Sequence, residues 1–402
     1  MQELGALPLR PCTGCGACSV MCKAGAITMV EGYDGFLVPA IDHDKCTNCS
    51  ACSSVCYKNR DTDKLPKLEG KSCYAVCSTN ASTHRTTTSG GLGHELARWG
   101  MEHGYKIVGV KYDYATNSAR TTIASRPEKI EQFKGSKYIQ SHTEQAFKEI
   151  VEIASKDEEQ KFICFGTPCQ IFGLRHLVER KRLKNEIIYV DLFCHGVPSY
   201  LVWRPYIAAQ ELKLGKLRNV NFRYKGNGWH HYSIRLEGEH KTYCAYAYND
   251  AFYRYFFDNV ALNESCFSCE FRKGYSSADI RIGDFLGRAY ESREDGITAA
   301  VAVTPEGENV ISVLHAAERI DIVGTHSVTE CLEAQSTEEY DNIELRNEVL
   351  RRLENEDIES VQRWYFSQFS LKRRMYTRLK SLATLLPTRV ITGLRRCVRR
   401  LK

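Results

Sequence analysis

Two eleven-residue runs, CTGCGACSVMC at 12–22 and CTNCSACSSVC at 46–56, repeat one cysteine spacing. Cysteines fall at i, i+3, i+6 and i+10: Cys12, Cys15, Cys18 and Cys22 in the first run, Cys46, Cys49, Cys52 and Cys56 in the second. Three thiolates at that spacing wrap three corners of an iron-sulfur cubane, and the fourth of each run reaches the other cluster. The spacing therefore predicts two [4Fe-4S] clusters, Cys12, Cys15, Cys18 with Cys56 and Cys46, Cys49, Cys52 with Cys22. The small residues Gly14, Gly16, Ala17, Ser50 and Ala51 let backbone amides approach the cluster sulfurs and tune their potential. Structural zinc is the rival, but it asks for two-plus-two spacing that neither run has. Lys23 and Tyr57 stand where a proline often follows the fourth cysteine, which leaves ligation alone and changes the local turn.

A chain of 402 residues is long enough for two or three domains. Its 18 cysteines would suggest disulfides in a small secreted protein, but the opening residues lack the pattern of a signal peptide. A reducing cytoplasm is the expected location. No stretch approaches 18 consecutive apolar residues, so no membrane span is expected. The net charge of +6 is uneven: from Ser360 onward there are twelve Lys or Arg and no Asp or Glu, which leaves −6 for residues 1–359. An acidic body argues against nucleic-acid binding, which wants a basic face on the folded part.

Residues 1–62 are rich in Cys and Gly with little periodicity, as in a small domain held by metal. Apolar runs at 106–112, 161–166, 186–193, 219–225, 278–285 and 298–304 then predict strands. Helical patterns at 90–104, 143–155, 168–183, 199–214, 249–258 and 306–318 alternate with them. The expected fold class is α/β, a mixed sheet covered on both faces, with a small ferredoxin-type domain before it and a helical basic tail behind. The boundaries fall at 1–62, 63–160, 161–340 and 341–402.

Four more cysteines have telling contexts: Cys169 in GTPCQ, Cys194 in DLFCHGVPS, and Cys266 with Cys269 in CFSCEFR. The first two follow apolar strands, where open α/β sheets hold ligands. Two single cysteines and one C-x2-C pair are the inventory of a third cubane. With TSGGLGHELA (88–97), KGSKYIQS (134–141), FGTPCQIFGLR (165–175) and ADIRIGDFLG (278–287), these motifs resemble the coenzyme F420 hydrogenase/dehydrogenase beta-subunit family over residues 70–340.

That resemblance implies a flavoprotein that holds FAD beside a [4Fe-4S] cluster and passes electron pairs between flavin and an organic substrate. By motif, Ser89, Gly90 and Gly91 would approach the flavin, since glycine lets amides come close to a phosphate or ring. Gly135, Ser136, Lys137 and Tyr138 would form a second contact, with Lys137 facing a phosphate or the reduced ring, and Thr167 a third. Cys169, Cys194, Cys266 and Cys269 would hold the cluster.

Each assignment has a rival. Thr88 or Ser89 is also a helix cap, Lys137 a surface lysine, and Thr167 before Pro168 a cap with proline at the first helical position. Cys169 has three readings: cluster ligand, nucleophile paired with His195, or packing. His195 is either a proton relay or a hydrogen-bonded residue at a strand end. Trp229, His230, His231 and Tyr232 line the substrate face or pack. Asp284 holds a helix start or the cofactor, and Arg272 offsets cluster charge. Cys164 reads as core, and Cys73 and Cys77 as possible flanks of a cluster.

The tail spaces Leu371, Met375, Leu379, Leu382 and Leu386 at helical intervals among basic residues until Pro387. Such a helix suits the anionic inner face of a membrane, and a frayed solvated terminus is the alternative. The expected function is an oxidoreductase taking electrons from a ferredoxin-like donor through its clusters to FAD and on to a small hydride acceptor, F420 or another, in either direction. The alternative is a non-catalytic relay subunit for a partner enzyme, a role that would also fit surface-polysaccharide biosynthesis.

Overall fold

In a computed structural model of the chain, the described residues are 11–59, 65–333, 335 and 337–383. The expected boundary at 62, Leu386, Pro387 and Cys397 lie outside them. The first cysteine run winds into a short helix, Ala17–Met21, and a hairpin of β1 (Ile27–Glu31) and β2 (Leu37–Ile41) follows. The second run forms two single-turn helices, Ala51–Val55 and Tyr57–Asn59.

The body is built on nine strands: β3 (Ser72–Ser78), β4 (Tyr105–Asp113), β5 (Ser118–Ala124), β6 (Ser141–His142), β7 (Lys161–Phe165), β8 (Ile187–Leu192), then, beyond a three-stranded sheet, β12 (Ile280–Asp284), β13 (Thr298–Ala302) and β14 (Ile320–Ser327). The smaller sheet is β9 (Leu217–Tyr224), β10 (Ser233–Gly238) and β11 (Thr242–Tyr246). The large sheet runs β14-β3-β13-β12-β8-β7-β4-β5-β6. Its centre, β12-β8-β7-β4, is parallel, and the flanks from β12 to β14 and from β4 to β5 are antiparallel.

Central strands buried on both faces read as continuous apolar runs, and the expected strands at 106–112, 161–166, 186–193, 278–285 and 298–304 all form there. One face is covered by the helices Leu92–Glu102 and Pro305–Ala316, through Leu92, Leu96, Val310 and Leu314. The other is covered by Glu144–Lys156 and Pro168–Arg180, through Phe147, Ile150, Ile171 and Leu174. Cys164 lies inside that second layer as a core residue.

A separate core surrounds the helix Tyr200–Leu214 and the small sheet, with Trp203, Phe222, Phe252 and Tyr253 at its centre. The helices Ile343–Leu353 and Ile358–Ser367 bury Val349, Val361 and Tyr365 in that same core. The exposed part of the tail therefore begins at the helix Leu371–Ala383. No helix among the described residues is long and apolar enough to cross a membrane.

The small N-terminal domain is clasped to the body. Gln140 accepts from the Leu37 amide at 2.8 Å and donates to the Thr13 carbonyl at 3.1 Å. Thr143 donates to the Cys15 carbonyl at 2.8 Å. Ser199 donates to the Asp34 carbonyl at 2.6 Å, and Arg204 pairs with Glu31 at 2.6 Å.

Candidate functional site

The two cysteine runs cross over. Cys12, Cys15, Cys18 and Cys56 line one small cavity, so the fourth thiol of the second run stands among the first three of the first. Cys22, in turn, acts on Cys52 together with Cys49. Burial pushes the thiols of Cys15 and Cys18 up, with Cys18 also repelled by Cys15, Cys12, Cys56 and Cys52, and burial holds Cys56 at about 11. Crowded thiols of this kind gain from iron, which takes the place of their protons. Backbone amides already point at sulfur: Gly14 N–H donates to Cys12 Sγ at 3.3 Å and Ala26 N–H to Cys22 Sγ at 3.4 Å. The exposed Cys49 is shifted down instead, chiefly by the Ala51 amide and then by Thr47. Among the described residues no three His, Cys, Asp or Glu close on one metal ion, whereas a cubane takes its thiolates at four separate corners. The donor set thus fits two cubanes.

The structure also gathers the scattered four. Cys169 is the second residue of the helix Pro168–Arg180, Cys194 follows β8, and Cys266 and Cys269 lie in the loop before β12. Burial raises Cys169 most, and the thiols acting on it are Cys194, Cys15 and Cys269. Burial likewise raises Cys194, beside Cys266 and Cys269, and holds Cys266 at about 11. Arg272 braces the loop by donating to the carbonyls of Cys266 at 2.6 Å, Phe267 at 3.1 Å and Glu338 at 3.0 Å, and its positive charge favours the Cys266 thiolate. Below, the buried pair Asp191 and Arg281 ties β8 to β12 with two bonds of 2.7 and 2.6 Å. Cys73 and Cys77 are elsewhere, on β3 in a core with Cys331. They do not flank this quartet.

A cavity of about 550 Å3 opens at the carboxyl ends of the parallel strands, where such sheets bind ligands and within the size range of cofactor sites. Its walls include Ser89, Gly91, Gly135, Ser136, Lys137, Tyr138, Thr167, Cys194 and His195. The two motif loops are tied, since Ser136 N–H donates to Thr88 Oγ1 at 2.9 Å. Gly91, at φ +99°, starts the helix Leu92–Glu102, whose first residues also face the cavity.

Several expected contacts have other duties. Gly90 is absent from the wall: a Cβ there would stand 2.0 Å from the Val76 carbonyl oxygen, so glycine is required by packing on β3. Ser89 donates its hydroxyl to the Ile297 carbonyl at 2.5 Å. Lys137 folds back onto the carbonyls of Gln132 at 3.0 Å and Lys134 at 2.9 Å, and burial draws its pKa down to about 7. Thr167 N–H donates to Gln170 Oε1 at 3.1 Å, and its hydroxyl stands 3.3 Å from Cys169 Sγ. His195 engages both ring nitrogens, with Asn259 at 2.7 Å and Tyr340 at 3.2 Å, and burial lowers its pKa to about 4, so the ring is neutral at pH 7. That is the bonding of a satisfied strand-end histidine. Of Trp229, His230, His231 and Tyr232, only Tyr232 reaches the wall, at φ +48°, over the Arg223 guanidinium that pairs with Asp284 at 2.8 Å. Trp229 is fully buried packing.

The wall also includes Phe256 and Phe257, outside every motif, and Gly166 and Gln170, which lie inside FGTPCQIFGLR without an assigned role; no motif covers Arg223, the partner of Asp284. An arginine inside the strand NVNFRYK was the one available signal for the last.

A crossed pair of cysteine quartets docked on an α/β body defines an iron-sulfur electron-transfer protein. The comparisons agree: residues 11–59 match the model of the 4Fe-4S dicluster domain, and residues 159–327 match that of the C terminus of the coenzyme F420 hydrogenase/dehydrogenase beta subunit. The chain is thus related to the coenzyme F420 hydrogenase/dehydrogenase beta subunit over residues 159–327 and carries a dicluster domain at residues 11–59. No curated protein matches it significantly. Among solved structures, a chain of the F420-reducing [NiFe] hydrogenase complex from Methanosarcina barkeri, xenon-derivatised, aligns at 16% identity with a TM-score of 0.46, covering 74% of this chain and 92% of that one.

Proposed function

We propose that the chain is an iron-sulfur flavoprotein oxidoreductase, with Cys169, Cys194, Cys266 and Cys269 holding a third [4Fe-4S] cluster and the 550 Å3 cavity holding FAD. One observation carries the reading: Cys194 belongs to the third thiol quartet and to the cavity wall at once. A one-electron site and a cofactor-sized space therefore share a residue. A flavin supplies the step from single electrons to hydride chemistry. The start of the helix Leu92–Glu102, with Thr88 and Gly91, would take the cofactor's phosphates. Gly135, Ser136 and Tyr138 would border it from the opposite loop, and Phe256, Phe257 and Tyr232 leave an aromatic side for an organic acceptor, F420 or another hydride acceptor, in either direction.

The test is anaerobic purification with iron and flavin counted together. Three cubanes give about 12 iron atoms per chain, with one FAD. A count near eight with FAD bound removes the third cluster. Full loading with no turnover on any small acceptor supports the relay subunit instead.

The helix Leu371–Ala383 supports a cytoplasmic protein that rests on the inner membrane face. Leu371, Met375, Leu379 and Leu382 form one stripe, 60 to 77% exposed, flanked by Lys372 and Arg378. Each basic residue near an anionic surface contributes about 1 kcal/mol. The protein is expected to float with phosphatidylglycerol vesicles and not with phosphatidylcholine alone, and Leu379→Glu to stay at the bottom of the gradient. Equal recovery of both proteins, or a dimer that Leu379→Glu dissociates, would show a different occupant of the stripe.

A further inference from the structure

The two cysteine runs share a backbone path but not an environment. The third and fifth residues of each are left-handed: Gly14 at φ +68° and Gly16 at +76°, Asn48 at +54° and Ser50 at +56°. In the second run these positions are exposed, so side chains are tolerated at the small cost of that conformation. In the first run they are buried. A Cβ on Gly14 would overlap the side-chain amide of Gln140 in the body, and one on Gly16 would stand 2.7 Å from Thr143 Oγ1. Glycine is kept where the run is pressed against the body and lost where it faces solvent.

The pressing continues onto the helix Pro168–Arg180. A Cβ on Gly173 would meet Cys15 Sγ at 3.0 Å and Ala17 Cβ at 3.1 Å. Gly173 lies four residues after Cys169, on the same face of that helix. Cys15 thus rests on the helix one turn from Cys169, and it is among the thiols whose charge acts there. On the other flank Tyr57, directly after Cys56, sets its ring 4.8 Å from Phe271 and 5.6 Å from Phe172. Its hydroxyl accepts from the Glu270 amide at 3.4 Å, next to Cys269. The aromatic residue standing in place of the usual proline is the filling between the two thiol quartets.

We infer that Gly173 and Tyr57 are positioning residues that impose one order on electron passage. Electrons pass in sequence, in either direction, between the site at Cys46 and Cys49 on the exposed side, the quartet Cys12, Cys15, Cys18 and Cys56, and, over Gly173 and Tyr57, the quartet Cys169, Cys194, Cys266 and Cys269. The inference rests on the cluster reading above. Each passage moves one electron: the site left is oxidised by one, the site reached is reduced by one, and no bond or proton changes at these residues. The partner at the exposed end is a one-electron carrier protein of the ferredoxin class, which gives up or takes that electron.

The experiment uses the whole anaerobic protein, with iron counted and the dithionite-reduced state followed by electron paramagnetic resonance. The wild type is expected to show magnetic interaction between the first N-terminal cluster and the third. Gly173→Leu pushes the Cys15 segment away from the helix but removes no ligand, so with iron content at the wild-type value that interaction is lost, while the one between the two N-terminal clusters persists. Cys49→Ser, on the exposed loop, removes the outer cluster and leaves the first-to-third interaction in place. An unchanged interaction in fully loaded Gly173→Leu, or its disappearance in Cys49→Ser, overturns the order. Should Gly173→Leu fail to fold, Gly173→Ala decides: a weakened interaction supports the order and an unchanged one overturns it. A wild type with only about eight iron atoms fails the cluster reading itself, before any variant is compared.

Discussion

If the proposed third cluster and flavin are bound, Cys169→Ala is expected to lose about four of about twelve iron atoms, together with reduction of the FAD proposed for the cavity, and to keep the N-terminal clusters' resonance signals intact. The reason is positional. Cys169 starts a helix, between the Thr167 hydroxyl at 3.3 Å and the thiols of Cys194 and Cys269, and alanine keeps the helix while removing one corner of the site. The N-terminal quartets hold their own ligands and would not notice. Full iron with turnover alone abolished would sink this assignment and make Cys169 a nucleophile.

The second large effect is expected from Arg281→Met. Asp191 is completely buried and Arg281 nearly so, joined by two short bonds, with Ser276 adding a third to the carboxylate at 2.8 Å. Removing the guanidinium leaves a buried charge without its partner, a loss of about 3–5 kcal/mol. Arg281 also donates to the carbonyls of Phe271 at 2.9 Å and Tyr275 at 2.8 Å, so it holds the loop that follows Cys269. The apparent melting temperature should fall and iron should drop with it. The double variant Asp191→Asn with Arg281→Met should regain much of the melting temperature, because no lone charge remains. A double variant as unstable as the single one would show that the loop contacts, and not the ion pair, dominate.

The central strands were legible because a parallel sheet buried on both faces leaves unbroken apolar runs such as KFICFG and EIIYVDLF. The strand at 72–78 carries two cysteines and sits beside the second thiol-rich region, so its letters pointed toward metal although its side chains fill a core with Cys331. β14 alternates buried and exposed positions along its length, so it leaves no unbroken apolar run in the sequence. At the site, cysteine spacing announced the N-terminal quartets because their ligands are local. The third quartet needs three separate chain segments, and its signals are the strand-end contexts of Cys169 and Cys194, the C-x2-C pair of Cys266 and Cys269, and the family resemblance, none of which gives the spacing of a single run. Duties taken up by the fold itself were invisible: nothing in TSGG says that Gly90 lies against Val76, and nothing in GSKY says that Lys137 turns back on its own loop.

The clasp at Gln140 has a mechanical consequence. One amide group grips the hairpin at Leu37 and the first cysteine run at Thr13, while Thr143, Ser199 and Arg204 hold three further points around it. A small domain anchored at so many points cannot act as a swinging arm that charges at one place and discharges at another. Delivery over this joint would then be a property of a rigid wire, insensitive to solvent viscosity, with diffusion entering only at its two ends, where a donor and an acceptor would meet the chain.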